Sequence, residues 1–400
     1  MGMSDGGSDP AAPTASAEGP ALVVEPGASL AERTSMEVGG PAGVLLRAGS
    51  LAALREAFDF LRARDTRAMP LSILGGGSNV IIADDGVPGV VLSYEARGVE
   101  PTAGRGRAAG LVRVAAGTPW DEFVRWTVER GLTGVECLSG IPGWAGAAPI
   151  QNIGAYGQEV ADVLEAVEVV DLEAARRKPG GLDELPVERL GTAECGLGYR
   201  RSHFQTRWRG RYLVVALELR LAPGGAPEVR YPELRRALDA AGADARDPAA
   251  VRREVLALRR AKGMLGDVTT EWDPPVAEDD PERRSAGSYF KNPVVSPHLA
   301  AEVAQKVGAL GLPETSMPRY PVGDGQVKLS AAWLIERAGF TRGLRRGNAA
   351  ISTRHTLALV NRGGATAREV LALADEIERG VMARFGVALE REPVLLGFSP

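Results

Sequence analysis

Between Gly140 and Gly157 the chain runs for eighteen residues without a charge, yet carries five glycines, four alanines and two prolines. An uncharged stretch of this length is normally a strand or a buried helix. Its glycine and proline content rules out a regular helix, because proline removes an amide donor and glycine loses the most backbone freedom on ordering. The segment is therefore irregular chain, and irregular backbone that is buried needs partners for its N–H and C=O groups. Two readings follow: a backbone cradle for a large, partly anionic cofactor, or a loop packed between two lobes. A second glycine-rich stretch upstream favours the cradle.

That stretch is Gly75-Gly76-Gly77-Ser78-Asn79, set between two apolar runs that read as strands, Pro70–Leu74 and Val80–Ala83. A glycine turn offers consecutive free amides, an anion nest, and Ser78 and Asn79 add side-chain donors. A plain hairpin turn is the alternative, although it needs fewer glycines. No helix follows and the spacing is not that of a dinucleotide-binding Rossmann turn. A third stretch, Cys195–Phe204, holds two glycines before Tyr199-Arg200-Arg201-Ser202. Arg200 reads equally as a solvated cation or as an anion receptor.

The 400 residues exceed one ordinary core, so two or three lobes are expected. A net charge of −4 gives no footprint for nucleic acid or an anionic membrane, and no apolar run reaches the ~20 residues that span a bilayer. Cys137 and Cys195 make neither a disulfide framework nor a zinc site, and with three histidines metal chemistry is not expected. Without a basic, apolar leader the chain reads as cytoplasmic. Of 47 Lys and Arg only five are Lys, so Lys262, Lys291 and Lys328 stand out as cations retained where Arg is the default.

Taken in order, residues 1–26 are polar and small and read as a disordered tail, with order beginning near Leu30. Ser50 caps a helix with Leu51, Leu54, Phe58 and Leu61 on one face. Strands follow at Val90–Leu92 and Leu111–Gly117, then a helix over Trp120–Arg130 with Phe123, Val124, Thr127 and Val128 inward. Val163–Val170 reads as a half-exposed strand, 178–190 as polar connection, and Tyr212–Leu221 as a strand. The flavourless break Pro223–Pro227 separates 27–222, in two lobes of about 27–100 and 101–222, from 223–400. In the latter, helices are expected after Tyr231, over Pro248–Lys262 and from Lys328. Residues 266–286 read as a mobile insertion and His355–Asn361 as a strand. Thr366–Glu369 fits a capping box for a last helix that buries Val370, Leu373, Ile377 and Val381.

With these motifs in this order, from about Thr34 to Glu392, the chain resembles the UDP-N-acetylenolpyruvoylglucosamine reductases, also called UDP-N-acetylmuramate dehydrogenases. The segments that carry the resemblance are Gly75–Asn79, Gly140–Gly157, Gly198–Ser202, Gly287–Pro293, Lys328–Glu336 and the acidic close Glu390–Pro393. The resemblance implies an α+β fold: a two-lobed FAD-binding domain of the vanillyl-alcohol-oxidase/PCMH type and a C-terminal α+β substrate-binding domain. It implies FAD as cofactor, NADPH as electron donor, a UDP-sugar substrate and a monomer. FAD contacts are implied for Gly75, Gly76, Gly77, Ser78, Asn79, Ile141, Pro142, Gly143, Gly146, Ala147, Asn152, Gly154, Ala155 and Gly157. Arg200 matches the arginine on the enolpyruvyl carboxylate, Ser288 the proton donor, and Glu392 the glutamate that supports the intermediate, with Glu390 as its alternative. Tyr199, Tyr231, Lys262, Asn292, Tyr320 and His355 match substrate-contacting positions. Tyr289 departs from the commoner Phe, and the insertion after Lys262 is longer than usual. A flavin oxidase of small alcohols or sugar lactones is the competing enzyme, but no histidine stands near either glycine loop to tether FAD. A nucleotide-sugar-binding regulator without turnover is opposed by the intact Arg200, Ser288 and Glu392.

Overall fold

The computed structural model describes residues 21–63, 65–102, 110–177, 185–265 and 280–398. The first lobe is a sheet of β1 (Val23–Pro26), β2 (Ala42–Ala48), β3 (Leu71–Ile73) and β5 (Val87–Tyr94), in the order β1-β2-β5-β3. The strand β4 (Val80–Ile82) lies outside that sheet. Helix α1 (Leu51–Arg62) is capped by the Ser50 hydroxyl, which accepts from the Ala53 amide. It buries Leu54, Ala57, Phe58 and Leu61, while Leu51 faces solvent, contrary to the sequence pattern.

The second lobe is an antiparallel five-stranded sheet. Strands Val187–Gly191, Leu164–Asp171 and Tyr212–Arg220 continue into β7 (Leu111–Ala115) and β6 (Val99–Pro101). Helix α2 (Trp120–Glu129) covers it and buries the four expected residues. Leu164–Asp171 is more buried than its weak alternation suggested, because strands pair with it on both edges and only Glu165 and Glu168 are partly open. The short α3 (Leu172–Arg177) follows it directly.

Helices α4 (Pro232–Ala241) and α5 (Pro248–Ala261) pack with Cys137 and Val229 in a small core of their own. Buried Arg252 of α5 joins Asp121 of α2 through two bonds of 2.6 and 2.7 Å. The third lobe holds α6 (Pro297–Ala309), α7 (Ala331–Arg337) and α8 (Ala367–Phe385) against two small three-stranded sheets. Thr366 and Glu369 form the expected capping box on α8, whose Val370, Leu373, Ile377 and Val381 are fully buried.

The lobes interlock. Met36, Val38 and Ile81 of the first belong to the core of the third. The last strand, Val394–Leu396, returns to pair in parallel with β4. The two strands flanking Gly75–Asn79 therefore do not pair with each other, since β3 pairs with β5, and the hairpin reading fails.

Several boundaries move. The expected tail lies outside the described residues as far as position 20, but Val23–Pro26 is a strand on β2. The polar connection is outside them over 178–184, whereas Val187–Gly191 is an edge strand whose Arg189 meets Glu218 at 2.7 Å. Of the insertion, 266–279 lies outside, and 280–286 is packed rather than mobile: Glu282 is buried and holds Arg362 at 2.6 Å. Lys328 sits on a strand, Val327–Leu329, because Ser330 caps the helix only from Ala331. His355 lies in a turn ahead of the strand Leu359–Asn361.

Candidate active site

A cleft opens where the lobes meet, and the two glycine-rich loops form its floor. Gly75, Gly76, Gly77, Ser78 and Asn79 line it with Ile141, Pro142, Ala147 and Gly154. The loops touch so closely that a Cβ on Gly76 would stand 3.0 Å from the Cα of Gly143. Gly77 is left-handed, with φ 64°, and a Cβ there would come within 1.9 Å of the Arg33 carbonyl oxygen. Gly75 differs: a Cβ on it would meet nothing within 4 Å, so its backbone is open to whatever fills the cleft.

A second cavity shares this floor through Leu74, Gly75, Gly76, Ser78, Ile141, Pro142 and Trp144. Its wall includes Arg33, Arg97, Arg125, Arg283 and Arg284 together with Glu32, Glu37, Asp121 and Glu122. Two cavities joined over open glycine backbone fit an elongated dinucleotide laid along free amides.

Five positions read as cofactor contacts lie outside the lining of the first cleft. Gly143 lines only the second cavity. Gly146, Asn152, Ala155 and Gly157 line neither. Gly146 packs on Ala116, Gly157 on Arg230, and Ala155 pairs with Gln158. Asn152 is buried and its side-chain amide holds Glu159 at 2.7 Å and the Gly198 carbonyl at 3.1 Å. Asn79, though it lines the cleft, donates to Gln151 at 2.7 Å and to the Glu392 carbonyl at 3.2 Å.

Arg200 occupies a tight turn closed by mutual bonds between Gly198 and Arg201. Its φ of 50° is left-handed, a conformation that costs an L residue about 1–2 kcal/mol. The turn aims the side chain inward, where it donates to the carbonyls of Asn152 and Gly154 and lies 3.2 Å from a carboxylate oxygen of Glu392. Arg200 is thus a held cation lining the cleft rather than a solvated one.

Ser288 and Glu392 are brought together by backbone pairing. The Glu392 amide donates to Tyr289 at 2.9 Å, and Lys291 donates to Glu390 at 2.9 Å. Alternation along this pairing turns Glu390 outward, its side chain 73% exposed and paired with Lys291, and Glu392 inward at 13%. Burial holds the Glu392 carboxyl above the ordinary carboxylate range, against the pull of Arg200 and Lys291.

Of the substrate positions, Tyr199 and Asn292 line the cleft. Burial raises the Tyr199 phenol, and Asn292 hydrogen-bonds it. Tyr231, Lys262, Tyr320 and His355 stand outside that lining. Tyr231 meets Tyr156 edge-on at 5.7 Å, and the Lys262 ammonium lies 5.3 Å from the Tyr156 ring. His355 is held neutral, its pKa lowered to about 4 by burial and by Lys262. Tyr320 sits opposite Lys328 on neighbouring strands, and the Lys328 ammonium lies 4.9 Å from the Tyr199 ring.

Sequence reasoning missed Gln151 and Arg259, which line the cleft, and Glu233, which pairs with Lys262 at 2.7 Å. Arg259 had a signal: it is a cation on α5 three residues before Lys262, and it donates to the Gly140 carbonyl at 3.0 Å. Gln151 lay unremarked inside the uncharged stretch. Among the described residues, no group of three or more His, Cys, Asp or Glu is placed to hold a metal ion, and no helix is long and apolar enough to cross a membrane.

A two-lobed α+β cradle with paired cavities, closed by a third lobe that brings an alcohol and an acid to the cleft, defines a flavin-dependent oxidoreductase. Residues 42–175 match the family described as FAD binding domain, and residues 279–396 the one described as UDP-N-acetylenolpyruvoylglucosamine reductase, C-terminal domain. The chain is 45% identical to the UDP-N-acetylenolpyruvoylglucosamine reductase of Thermobifida fusca over 372 residues, 92% of this chain and 97% of that one. It is 43% identical to that of Saccharopolyspora erythraea, over 92% of this chain and 95% of the other. The crystal structure of UDP-N-acetylenolpyruvylglucosamine reductase from Thermus caldophilus superposes with a TM-score of 0.59 at 26% identity, covering 94% of this chain and 99% of that one. The chain belongs to the UDP-N-acetylenolpyruvoylglucosamine reductase family.

Proposed function

We propose that this chain reduces the enolpyruvyl ether of UDP-N-acetylglucosamine to the lactyl ether, giving UDP-N-acetylmuramate for peptidoglycan precursors. FAD would be the redox cofactor, NADPH the electron donor, and the cytoplasm the site of action of a monomer. The observation that carries the reading is the convergence of Arg200, Ser288 and Glu392 on one cleft above the glycine floor. Bound FAD supplies the hydride for the terminal carbon of the enol ether. The floor that would hold it is Gly75–Asn79 with Ile141, Pro142 and Trp144.

An enol ether accepts hydride poorly unless charge can collect on its carboxylate. Arg200 is suited to that, because a planar fork meets a carboxylate through two bonds and this guanidinium is already held in place by two carbonyls. Ser288 then donates its hydroxyl proton to the carbon next to the carboxylate. Lys291, its neighbour in sequence, is engaged by Glu390. Glu392 in its acid form donates a hydrogen bond to the enol oxygen as charge accumulates there, a role that its burial favours. Tyr199 and Asn292 flank the sugar, and Tyr231, Lys262, Tyr320 and His355 surround the UDP.

The test is a pair of half-reactions. NADPH should bleach a yellow holoenzyme, and the enolpyruvyl UDP-sugar should restore its colour. Ser288→Ala should still bleach but fail to complete reduction of the substrate. Normal turnover by that variant would remove Ser288 from the chemistry, and a holoenzyme that the UDP-sugar cannot reoxidise would end the reading.

A further inference from the structure

A carboxylate stands among the cations and phenols around Lys262, and nothing assigned so far explains it. Glu233 follows Tyr231 and Pro232 in the first turn of α4. Its Oε2 lies 2.7 Å from the Lys262 ammonium at the end of α5. That ammonium also faces the Tyr156 ring, against which Tyr231 stacks edge-on. The charge of Glu233 reaches Tyr156, Tyr231 and His355 as well. One carboxylate thus pairs with an ammonium and lies close enough to act on two phenols and an imidazole.

Such a set of groups suits an incoming anion, and a resident carboxylate competes with that anion. The pair is only partly buried, with side chains 26% and 34% exposed, and pairs of this kind are weak enough to exchange. The relationship at Arg200 is similar, since its guanidinium also rests on a glutamate of the cleft.

We propose that Glu233 sets the affinity of the substrate site: its carboxylate rests on Lys262 until the diphosphate of a UDP-sugar displaces it. The exchange rests on the reading above that Lys262 lies against the UDP, whose diphosphate is the anion its ammonium would meet. It weakens binding of every ligand that carries the diphosphate, product included, and leaves ligands without phosphate untouched. Removing the charge while keeping the shape should therefore tighten diphosphate binding selectively.

The experiment is calorimetric titration of the FAD-loaded holoenzyme with UDP and with uridine. Glu233→Gln should bind UDP about two- to fivefold more tightly, the range expected of a partly exposed ion pair, with uridine unchanged. Lys262→Met should weaken UDP. If Lys262→Met weakens UDP while Glu233→Gln leaves it unchanged or weaker, the exchange is overturned and Glu233 merely orients the lysine. If Lys262→Met has no effect on UDP, the diphosphate reading of Lys262 falls, and the exchange with it.

Discussion

Arg200 and Glu392 reach the cleft from different lobes and meet with Nε and Oε1 3.2 Å apart. Burial pushes the Glu392 carboxyl up, and the Arg200 guanidinium pulls it back down. The acid form therefore persists to higher pH than in an ordinary carboxyl. Activity that needs this acid is present below the Glu392 pKa and lost as pH rises through it. Arg200→Met removes the opposing charge, so the upper limb of the pH profile of kcat/KM should move to higher pH. The rate should fall by about 10²–10³, the loss typical of one preorganised donor. A limb that stays in place would assign it to another group.

The buried pair of Arg252 and Asp121 couples α5 to α2 and to the cradle, since Asp121 also accepts from the Gly140 amide. Arg252→Met would leave that carboxylate, 12% exposed, without its cation. Breaking a buried pair from one side costs about 3–5 kcal/mol, which denaturant unfolding would measure. Because Asp121 lines the second cavity, FAD affinity, read by flavin fluorescence, should fall as well. Lost stability with unchanged FAD affinity would confine the pair to a packing role.

Local features of this fold could be read from the chain, and long-range ones could not. The Ser50 cap, the Thr366 capping box and the buried stripe of α8 are written within a few residues of one another. The pairing of β4 with Val394–Leu396 is not, so the strands around Gly75–Asn79 looked like a hairpin. Val187–Gly191 looked like polar connection because its charges pair across strands, Arg189 with Glu218. Arg200, Ser288 and Glu392 were named through the resemblance, Glu392 ahead of Glu390 by the spacing of the apolar strand that follows it, and the pairing with Tyr289 is what turns Glu392 inward and Glu390 outward. Glu233 carried no such signal: on an amphipathic helix it is one of two acids, and only the packing of α4 on α5 brings it to Lys262.

His355 is kept neutral, its pKa lowered from 6.5 to about 4, first by burial and then by Lys262. The unfolded chain therefore binds the proton first as pH falls. The folded state should lose stability between pH 6.5 and about 4, and no further below, where both states are protonated. The loss attached to this one group is about 2–4 kcal/mol. His355→Gln keeps an acceptor for the Leu357 amide, which His355 Nδ1 now receives at 3.1 Å. Denaturant midpoints compared at pH 7 and pH 4.5 should differ less in that variant. An equal difference in both proteins would exclude His355 as the source.

Two glycines of the floor, one residue apart, separate contact with the cofactor from packing of the protein. At Gly77 a methyl group would overlap the Arg33 carbonyl and face a left-handed φ of 64°, so Gly77→Ala should destabilise the fold itself. At Gly75 neither obstacle exists, because the added carbon would stand in open space of the cleft. Gly75→Ala should fold with a thermal midpoint near that of the parent, and even gain slightly from a less flexible unfolded chain. Its methyl group would nevertheless project from the surface shared by both cavities, where a dinucleotide must lie against backbone. FAD dissociation should rise at least tenfold in a variant whose stability is intact, a penalty of about 1.4 kcal/mol or more. Parent-like FAD affinity in Gly75→Ala would mean that the cofactor does not rest on this loop.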